Sequence, residues 1–101
     1  MVQLKEFANE RFSALLCIDP FNERIRLDDY SGRVRDVIQL VLQEAAGCKA
    51  SKVIVKVRRE HVSLFLEKGF RLEGVFSHYF LGNDAYEMSL FLTEERMNSP
   101  Y

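Results

Sequence analysis

The segment from Lys52 to Val57 constrains the fold more than any other part of this sequence. It reads Lys-Val-Ile-Val-Lys-Val, is rich in β-branched residues and is too short for an ordinary helix. Apolar residues occupy both faces of the run, which is typical of a strand that is covered on both sides. The sequence therefore predicts an interior strand of a sheet over residues 52–57.

One helix is predicted before this strand and another after it. Residues 32–46 carry apolar side chains at the spacing of a single helical face, namely Val34, Val37, Ile38, Val41, Leu42 and Ala45. Ser31 is predicted to cap the start of this helix, and Gly47 to end it in the left-handed conformation. The second helix is predicted over residues 59–68, with Gly69 as the residue that ends it.

Two β-hairpins are predicted on either side of this central unit. Strand-like runs at 13–18 and 23–28 flank the turn-forming residues Asp-Pro-Phe-Asn, and runs at 71–80 and 85–92 flank Leu-Gly-Asn-Asp. The predicted fold class is α+β, with the element order β-β-α-β-α-β-β. Right-handed crossovers predict a mixed sheet with a parallel centre and antiparallel hairpins.

Length and composition indicate one globular domain. A chain of 101 residues provides one core, and 48% apolar with 29% charged residues excludes both disorder and a membrane span. Residues 1–96 are expected to form the domain, and residues 97–101 a frayed tail or the beginning of a linker. The early acidic residues at the N-terminus fit neither a secretory signal nor a mitochondrial presequence, so the expected location is the cytoplasm.

The charge balance and the cysteines exclude several classes of partner. Fourteen basic and fifteen acidic residues give a net charge of -1, so no overall field attracts nucleic acid or an anionic membrane. Cys17 and Cys48 lie far apart and belong to no Cys-x-x-Cys motif or Cys/His zinc pattern. No metal site is predicted.

Four segments of the chain carry a resemblance to a known family. They are residues 21–32 (FNERIRLDDYSG), 52–57 (KVIVKV), 69–75 (GFRLEGV) and 79–88 (YFLGNDAYEM). In this order they resemble the N-terminal region of β-lysine N-acetyltransferases, which are members of the GNAT superfamily of N-acetyltransferases. The resemblance implies a GNAT-like fold, acetyl-coenzyme A as cofactor and a small amine as acceptor. It also implies a second GNAT domain as a partner.

The resemblance implies a coenzyme A site at the start of the first long helix, where backbone amides hold the pyrophosphate. The corresponding residues are Ser31, Gly32, Arg33, Val34 and Arg35. The family pattern Arg/Gln-x-x-Gly-x-Gly/Ala is missing, and Asp28 and Asp29 stand beside the phosphate position. Arg58 and Arg59 follow the carboxyl end of the interior strand and complete a candidate anion site. The alternative is a solvated surface with local ion pairs.

Acetyl transfer to an amine requires a neutral nucleophile, a polarised thioester and a proton donor for the departing thiolate. The family often places a tyrosine four residues before the glycine that ends its last helix, and the residue at that position is Phe65. Tyr79 and Tyr86 are the candidate proton donors that remain, and Glu73 is a candidate base or ammonium ligand. For each of these the alternative is a structural or solvated side chain on a strand.

Three functional hypotheses follow from the sequence. The first is the N-terminal GNAT-like domain of an acetyl-coenzyme A-dependent β-lysine N-acetyltransferase, which is not catalytic in isolation. The second is a non-catalytic acyl-coenzyme A-binding module that uses Arg33 and Arg35. The third is an interaction domain that forms a homodimer through the aromatic residues of its last hairpin: Phe76, Phe80, Tyr86 and Phe91.

Overall fold

The computed structural model describes residues 1–92. The described elements are β1 (Gln3–Ala8), β2 (Phe12–Asp19), β3 (Arg24–Gly32), α1 (Val34–Gly47), β4 (Lys52–Arg58), α2 (Val62–Glu67), β5 (Arg71–Phe80) and β6 (Asn83–Phe91), with one 3₁₀ turn at Arg59–His61 before α2. The domain boundary and the tail predicted near residue 97 lie outside the described residues.

The six strands form one mixed sheet in the order β1-β2-β3-β4-β6-β5. Strands β3 and β4 are parallel, and every other neighbouring pair of the described sheet is antiparallel. The predicted fold class is therefore confirmed, and β1 is an additional strand before the predicted elements. The final hairpin folds back so that β6, and not β5, lies beside the central strand.

Both helices contribute to one hydrophobic core on the same face of the sheet, which we call the helix face. Val37, Ile38 and Val41 of α1 are buried there together with Val55 of β4 and Phe65 of α2. Val34 and Leu42 pack against this core as partly buried residues. The prediction of an interior strand at residues 52–57 is confirmed, whereas α1 lies mainly over the neighbouring strands β3 and β2 and not directly over β4. Burial of each large apolar side chain contributes about 1.5 to 3 kcal/mol before the entropy of folding is subtracted.

The opposite face of the sheet carries neither of the two described helices, and we call it the open face. Its residues alternate with the core residues along each strand and include Arg24, Arg26, Ile54, Lys56, Phe76 and Glu87. Within residues 1–92, no helix is long and apolar enough to cross a bilayer. Those same residues contain no group of three or more His, Cys, Asp or Glu side chains arranged to hold a metal ion.

The ends of α1 differ from the prediction. Ser31 is not the N-cap, because β3 continues to Gly32 and the Ser31 hydroxyl lies 2.6 Å from that of Ser13 on β2. Gly47 is the last residue of α1, and the left-handed conformation occurs two residues later at Lys49, with φ of 58°. The end of α2 agrees with the prediction, since Gly69 has φ of 93°.

Candidate functional site

The parallel strands β3 and β4 separate toward their carboxyl ends. Their residues pair only as far as Leu27 and Val55, whereas β3 continues to Gly32 and β4 to Arg58. Helix α1 follows β3, and α2 follows β4, so both helices begin at this edge. Open sheets with parallel strands bind ligands at such an edge. The gap between the strand ends is therefore the main candidate for a ligand site.

Tyr30 of β3 fills this gap. Its side chain is buried, and its hydroxyl oxygen accepts a hydrogen bond of 3.0 Å from the backbone N–H of Arg58. The same oxygen lies 2.7 Å from Nδ1 of His61. Because the hydroxyl already accepts a bond from Arg58, its own proton is available for His61. The phenol thus connects β3 to β4 and to the turn that precedes α2.

The side chain of Arg58 closes the gap from the other strand. Its Nη1 donates to the carbonyl oxygen of Tyr30 at 2.5 Å, and its Nη2 lies 3.2 Å from Oδ1 of Asp29. The guanidinium carbon lies 4.6 Å from the ring centroid of Tyr30 and 4.1 Å from that of Phe80. We call the set Asp29, Tyr30, Arg58, His61 and Phe80 the Tyr30–Arg58 bridge. The guanidinium of Arg58, which was a candidate anion ligand in the sequence, is thus already bonded to Tyr30 and Asp29.

Burial raises the pKa of the Tyr30 phenol above its ordinary value of 10.0, although its bonds with Arg58 act in the opposite direction. The folded chain thus keeps this proton at a pH where the unfolded chain has lost it. Stability from the protonated phenol is complete below about pH 10 and is lost as the pH rises through the raised pKa. We expect the free energy of unfolding to fall more steeply above pH 10 in the wild type than in Tyr30→Phe. Urea denaturation at several pH values checks this, with Tyr86→Phe as control, and parallel curves for wild type and Tyr30→Phe would contradict it.

The turn between β1 and β2 packs against the start of α1. Gly32 has φ of 88°, and a Cβ atom there would lie 2.3 Å from the carbonyl oxygen of Arg11. That oxygen also accepts a hydrogen bond of 3.0 Å from the backbone N–H of Arg33. The Arg11 side chain pairs with Asp36 in the first turn of α1 at 3.4 Å. The chain's own turn therefore contacts the place where the resemblance implies a phosphate.

The remaining candidate cofactor residues are dispersed around this edge. Arg33 and Arg35 are exposed and take part in none of the ion pairs within residues 1–92, while Val34 packs against the core. Arg59 lines a cavity of about 340 Å³ beyond the end of β4, together with Arg58, Glu60, Gly82, Asn83, Asp84 and Tyr86. This edge therefore offers an anion the exposed guanidinium groups of Arg33 and Arg35 at the start of α1 and of Arg59 after β4.

The three candidate catalytic residues do not converge. Tyr79 donates from its hydroxyl to the carbonyl oxygen of Asp28 at 2.9 Å, at the open face. Burial, and then the negative charges of Asp28 and Asp29, raise the pKa of the Tyr79 phenol above its ordinary value. Glu73 accepts a bond of 2.7 Å from the hydroxyl of Ser89. Tyr86 lies opposite Val57, which places it on the helix face, away from the other two.

Two curated proteins are similar to this chain over most of its length. It is 30% identical over 93 residues to the N-acetyltransferase YodP of Bacillus subtilis, a match that covers 92% of this chain and 34% of that protein. It is 32% identical over 88 residues to the Beta-lysine N(6)-acetyltransferase of Methanococcus maripaludis, which covers 87% and 32% respectively. The chain thus spans about a third of the length of these relatives. No family model matches the sequence.

Solved structures of acetyltransferases share the architecture. The ribosomal-protein-S18-alanine N-acetyltransferase of Escherichia coli superposes with a TM-score of 0.68 at 15% identity, over 97% of this chain and 75% of that one. An IAA acetyltransferase from Bacillus cereus gives 0.67 at 13% identity, over 87% and 74%. This chain has the GNAT fold. The element order and the mixed sheet are those the resemblance implied.

Within this GNAT fold, Phe65 is fully buried and packs edge to face against Phe70, with ring centroids 5.2 Å apart. It provides no proton at the position where the family often has a tyrosine. Tyr30, at the centre of the site, was not identified as a site residue from the sequence. A tyrosine near the carboxyl end of a strand was the available signal.

Proposed function

We propose that this chain is the N-terminal GNAT-like domain of a β-lysine-type N-acetyltransferase, and that by itself it neither binds acetyl-coenzyme A tightly nor transfers the acetyl group. The Tyr30–Arg58 bridge is the observation that carries the proposal. It fills the gap between β3 and β4 with buried, mutually bonded side chains. A ligand entering this gap must first break the bonds of Tyr30 with Arg58 and His61.

The arrangement of proton donors supports the non-catalytic role. A general acid works best when its pKa lies near the operating pH, and a positioned acid typically contributes about a hundredfold or more in rate. The pKa of Tyr79 is raised, and its hydroxyl donates to a backbone oxygen. Phe65 has no proton to give. Neither of these two positions therefore offers a phenol prepared to protonate a departing thiolate.

The proposed role is to shape the substrate side of a longer enzyme or to brace its catalytic domain. The open face supports this role, because it presents charged and aromatic side chains that neither described helix covers. Cys17 and Cys48 are free thiols, which favours a reducing compartment. We therefore place the protein in the cytoplasm. The specific acceptor in this proposal, β-lysine, rests on the Methanococcus relative alone.

Calorimetry with acetyl-coenzyme A and a thiol-release assay with lysine and β-lysine test this function. We expect a dissociation constant of about 100 µM or weaker and no thiol release above background, because the gap is filled and no acid is positioned. Arg33→Ala and Tyr79→Phe are the matched variants. Tight, saturable binding that Arg33→Ala abolishes would contradict the proposal that the chain does not bind the coenzyme tightly. Turnover that Tyr79→Phe abolishes would contradict the proposal that the chain does not transfer the acetyl group.

A retained but weak acyl-coenzyme A site is the second candidate function. Arg33 and Arg35 favour it, since both guanidinium groups are exposed beside the start of α1. Cations near a helix N-terminus can hold a phosphate together with the free backbone amides. The calorimetry distinguishes this function from the first, because a retained site gives weak, saturable binding that Arg33→Ala abolishes, whereas the first function predicts the same weak response from the wild type and from Arg33→Ala.

A further inference from the structure

Strand β5 ends the sheet with apolar side chains exposed on both of its faces. Leu72 and Val75 are 50% and 52% exposed on the helix face, and Phe76 is 44% exposed on the open face. The strand is ten residues long, and β6 is its one neighbour in the described sheet. Natural edge strands are usually short or charged, because their free backbone groups otherwise pair with another chain. Strand β5 carries Arg71, Glu73 and irregular pairing with β6 near Glu73 and after Phe76, but it is long and exposes these apolar side chains beside its free backbone groups.

A β-bulge gives this edge an unusual symmetry. Leu72 lies opposite Met88 and Gly74 opposite Glu87, so Glu73 is an extra residue in β5. Leu72 and Val75 consequently share the helix face although they are three positions apart. Arg71 and Phe76, five positions apart, likewise share the open face.

We propose that β5 pairs in an antiparallel manner with β5 of a second copy of this chain, about a two-fold axis between Glu73 and Gly74. Residues opposite each other across such a pair must lie on the same face of the continuous sheet. This register places Leu72 opposite Val75 of the second copy. It also places Arg71 opposite Phe76 of the second copy, a cation beside an aromatic ring, and leaves no like charges opposite each other.

The other edge of the sheet lacks this self-complementarity. Strand β1 pairs with β2 without a bulge, so residues of one face alternate regularly along it. A two-fold pairing about the middle of β1 therefore opposes Lys5 to Lys5 of the second copy, or Glu6 to Glu6. Like charges directly opposite each other destabilise a strand pair. The charges thus favour β5 over β1 as the edge that pairs with a second copy. This inference does not depend on the function proposed above.

Sedimentation equilibrium of the full chain between about 1 and 200 µM tests the interface. We expect a concentration-dependent dimer in the wild type. Val75→Lys should raise its dissociation constant about tenfold or more, because the new ammonium faces Leu72 of the second copy. The matched control is Leu4→Lys on β1, where the side chain is 66% exposed, and it should leave the dimer unchanged. Circular dichroism confirms that both variants are folded.

Disulfide trapping tests the register. Mixing Leu72→Cys with Val75→Cys should give a covalent dimer on mild oxidation, because these positions face each other closely enough for a disulfide. Leu72→Cys alone should give no covalent dimer, because the two substituted positions of the dimer are several residues apart along the paired strands. The wild type serves as the control for disulfides formed by the native Cys17 and Cys48. Any one of three results would overturn the proposal. The chain could remain a monomer at every concentration, the dimer could be broken by Leu4→Lys but not by Val75→Lys, or Leu72→Cys alone could be trapped efficiently.

Discussion

Truncation of Glu87 to alanine is expected to lower the free energy of unfolding by about 3 kcal/mol, because it leaves a buried ammonium without its partner. The Nζ atom of Lys56 lies 2.8 Å from Oε1 of Glu87, and the Lys56 side chain is only 8% exposed. The rings of Phe76 and Tyr79 also lie beside this ammonium, with centroids 4.8 and 5.9 Å from Nζ. Aromatic faces compensate a cation only in part. Lys56 therefore depends on Glu87.

The reverse truncation should cost less. The Glu87 side chain is 28% exposed, so water can solvate its carboxylate when Lys56→Met removes the ammonium. The double variant Lys56→Met with Glu87→Leu should recover to within about 1 kcal/mol of the wild type, since no charge then remains buried. Urea denaturation measures all three variants. Equal losses for the two single variants, or a double variant as unstable as Glu87→Ala, would show that hydration does not govern this pair.

The sequence was sufficient to predict those helices and strands that are determined by the residues within them. Helix α1 was predictable because its apolar residues recur on one face over residues 34–45, and β4 because apolar residues occupy both of its faces. The final hairpin was predictable because glycine and Asx residues separate two β-rich runs. Each of these signals lies within one segment and needs no knowledge of the rest of the chain.

Strand β1 and the ends of α1 were not predictable in this way. In β1, Lys5 and Phe7 are the half-buried residues, and Lys5 pairs with Glu44 of α1 instead of entering the core. Such an edge strand has little apolar periodicity.

The start of α1 depends on β2, because Ser31 remains in β3 opposite Ser13. Pairing across strands overrode the local capping preference that had favoured Ser31.

The candidate site shows the same limit. The sequence placed the candidate cofactor residues at the edge where β3 and β4 separate, since Gly32 and Arg58 both end strands there. It could not show that Arg58 bonds Tyr30, which is 28 residues away in the chain. It likewise could not separate Tyr79 from Tyr86, because the irregular pairing of β5 with β6 after Phe76 decides which face Tyr79 occupies. Contacts between distant segments decide whether a residue at this edge is available to a ligand.

Replacement of Gly32 by alanine is expected to give the other large loss, about 3 kcal/mol or more in the free energy of unfolding. Two costs add at this position. The φ of 88° is one that residues with a side chain rarely adopt, and the new Cβ would lie 2.3 Å from the carbonyl oxygen of Arg11 and 2.7 Å from Cα of Phe12. Both contacts are with backbone, so relief requires the β1–β2 turn to move away from α1.

Gly82 provides the matched control. Its φ of 90° is nearly the same, yet a Cβ there would meet nothing within 4 Å. Gly82→Ala should therefore cost only the conformational strain, about 1 kcal/mol, and the difference between the two variants measures the contact with the β1–β2 turn. Thermal and urea unfolding give both values. Equal losses in the two variants would mean that the β1–β2 turn moves away from the new Cβ at little cost. Calorimetry with acetyl-coenzyme A would then show whether Gly32 instead contributes to binding a phosphate. A loss confined to Gly32→Ala, with acetyl-coenzyme A binding equally weak before and after the change, would assign this glycine to packing and not to the coenzyme.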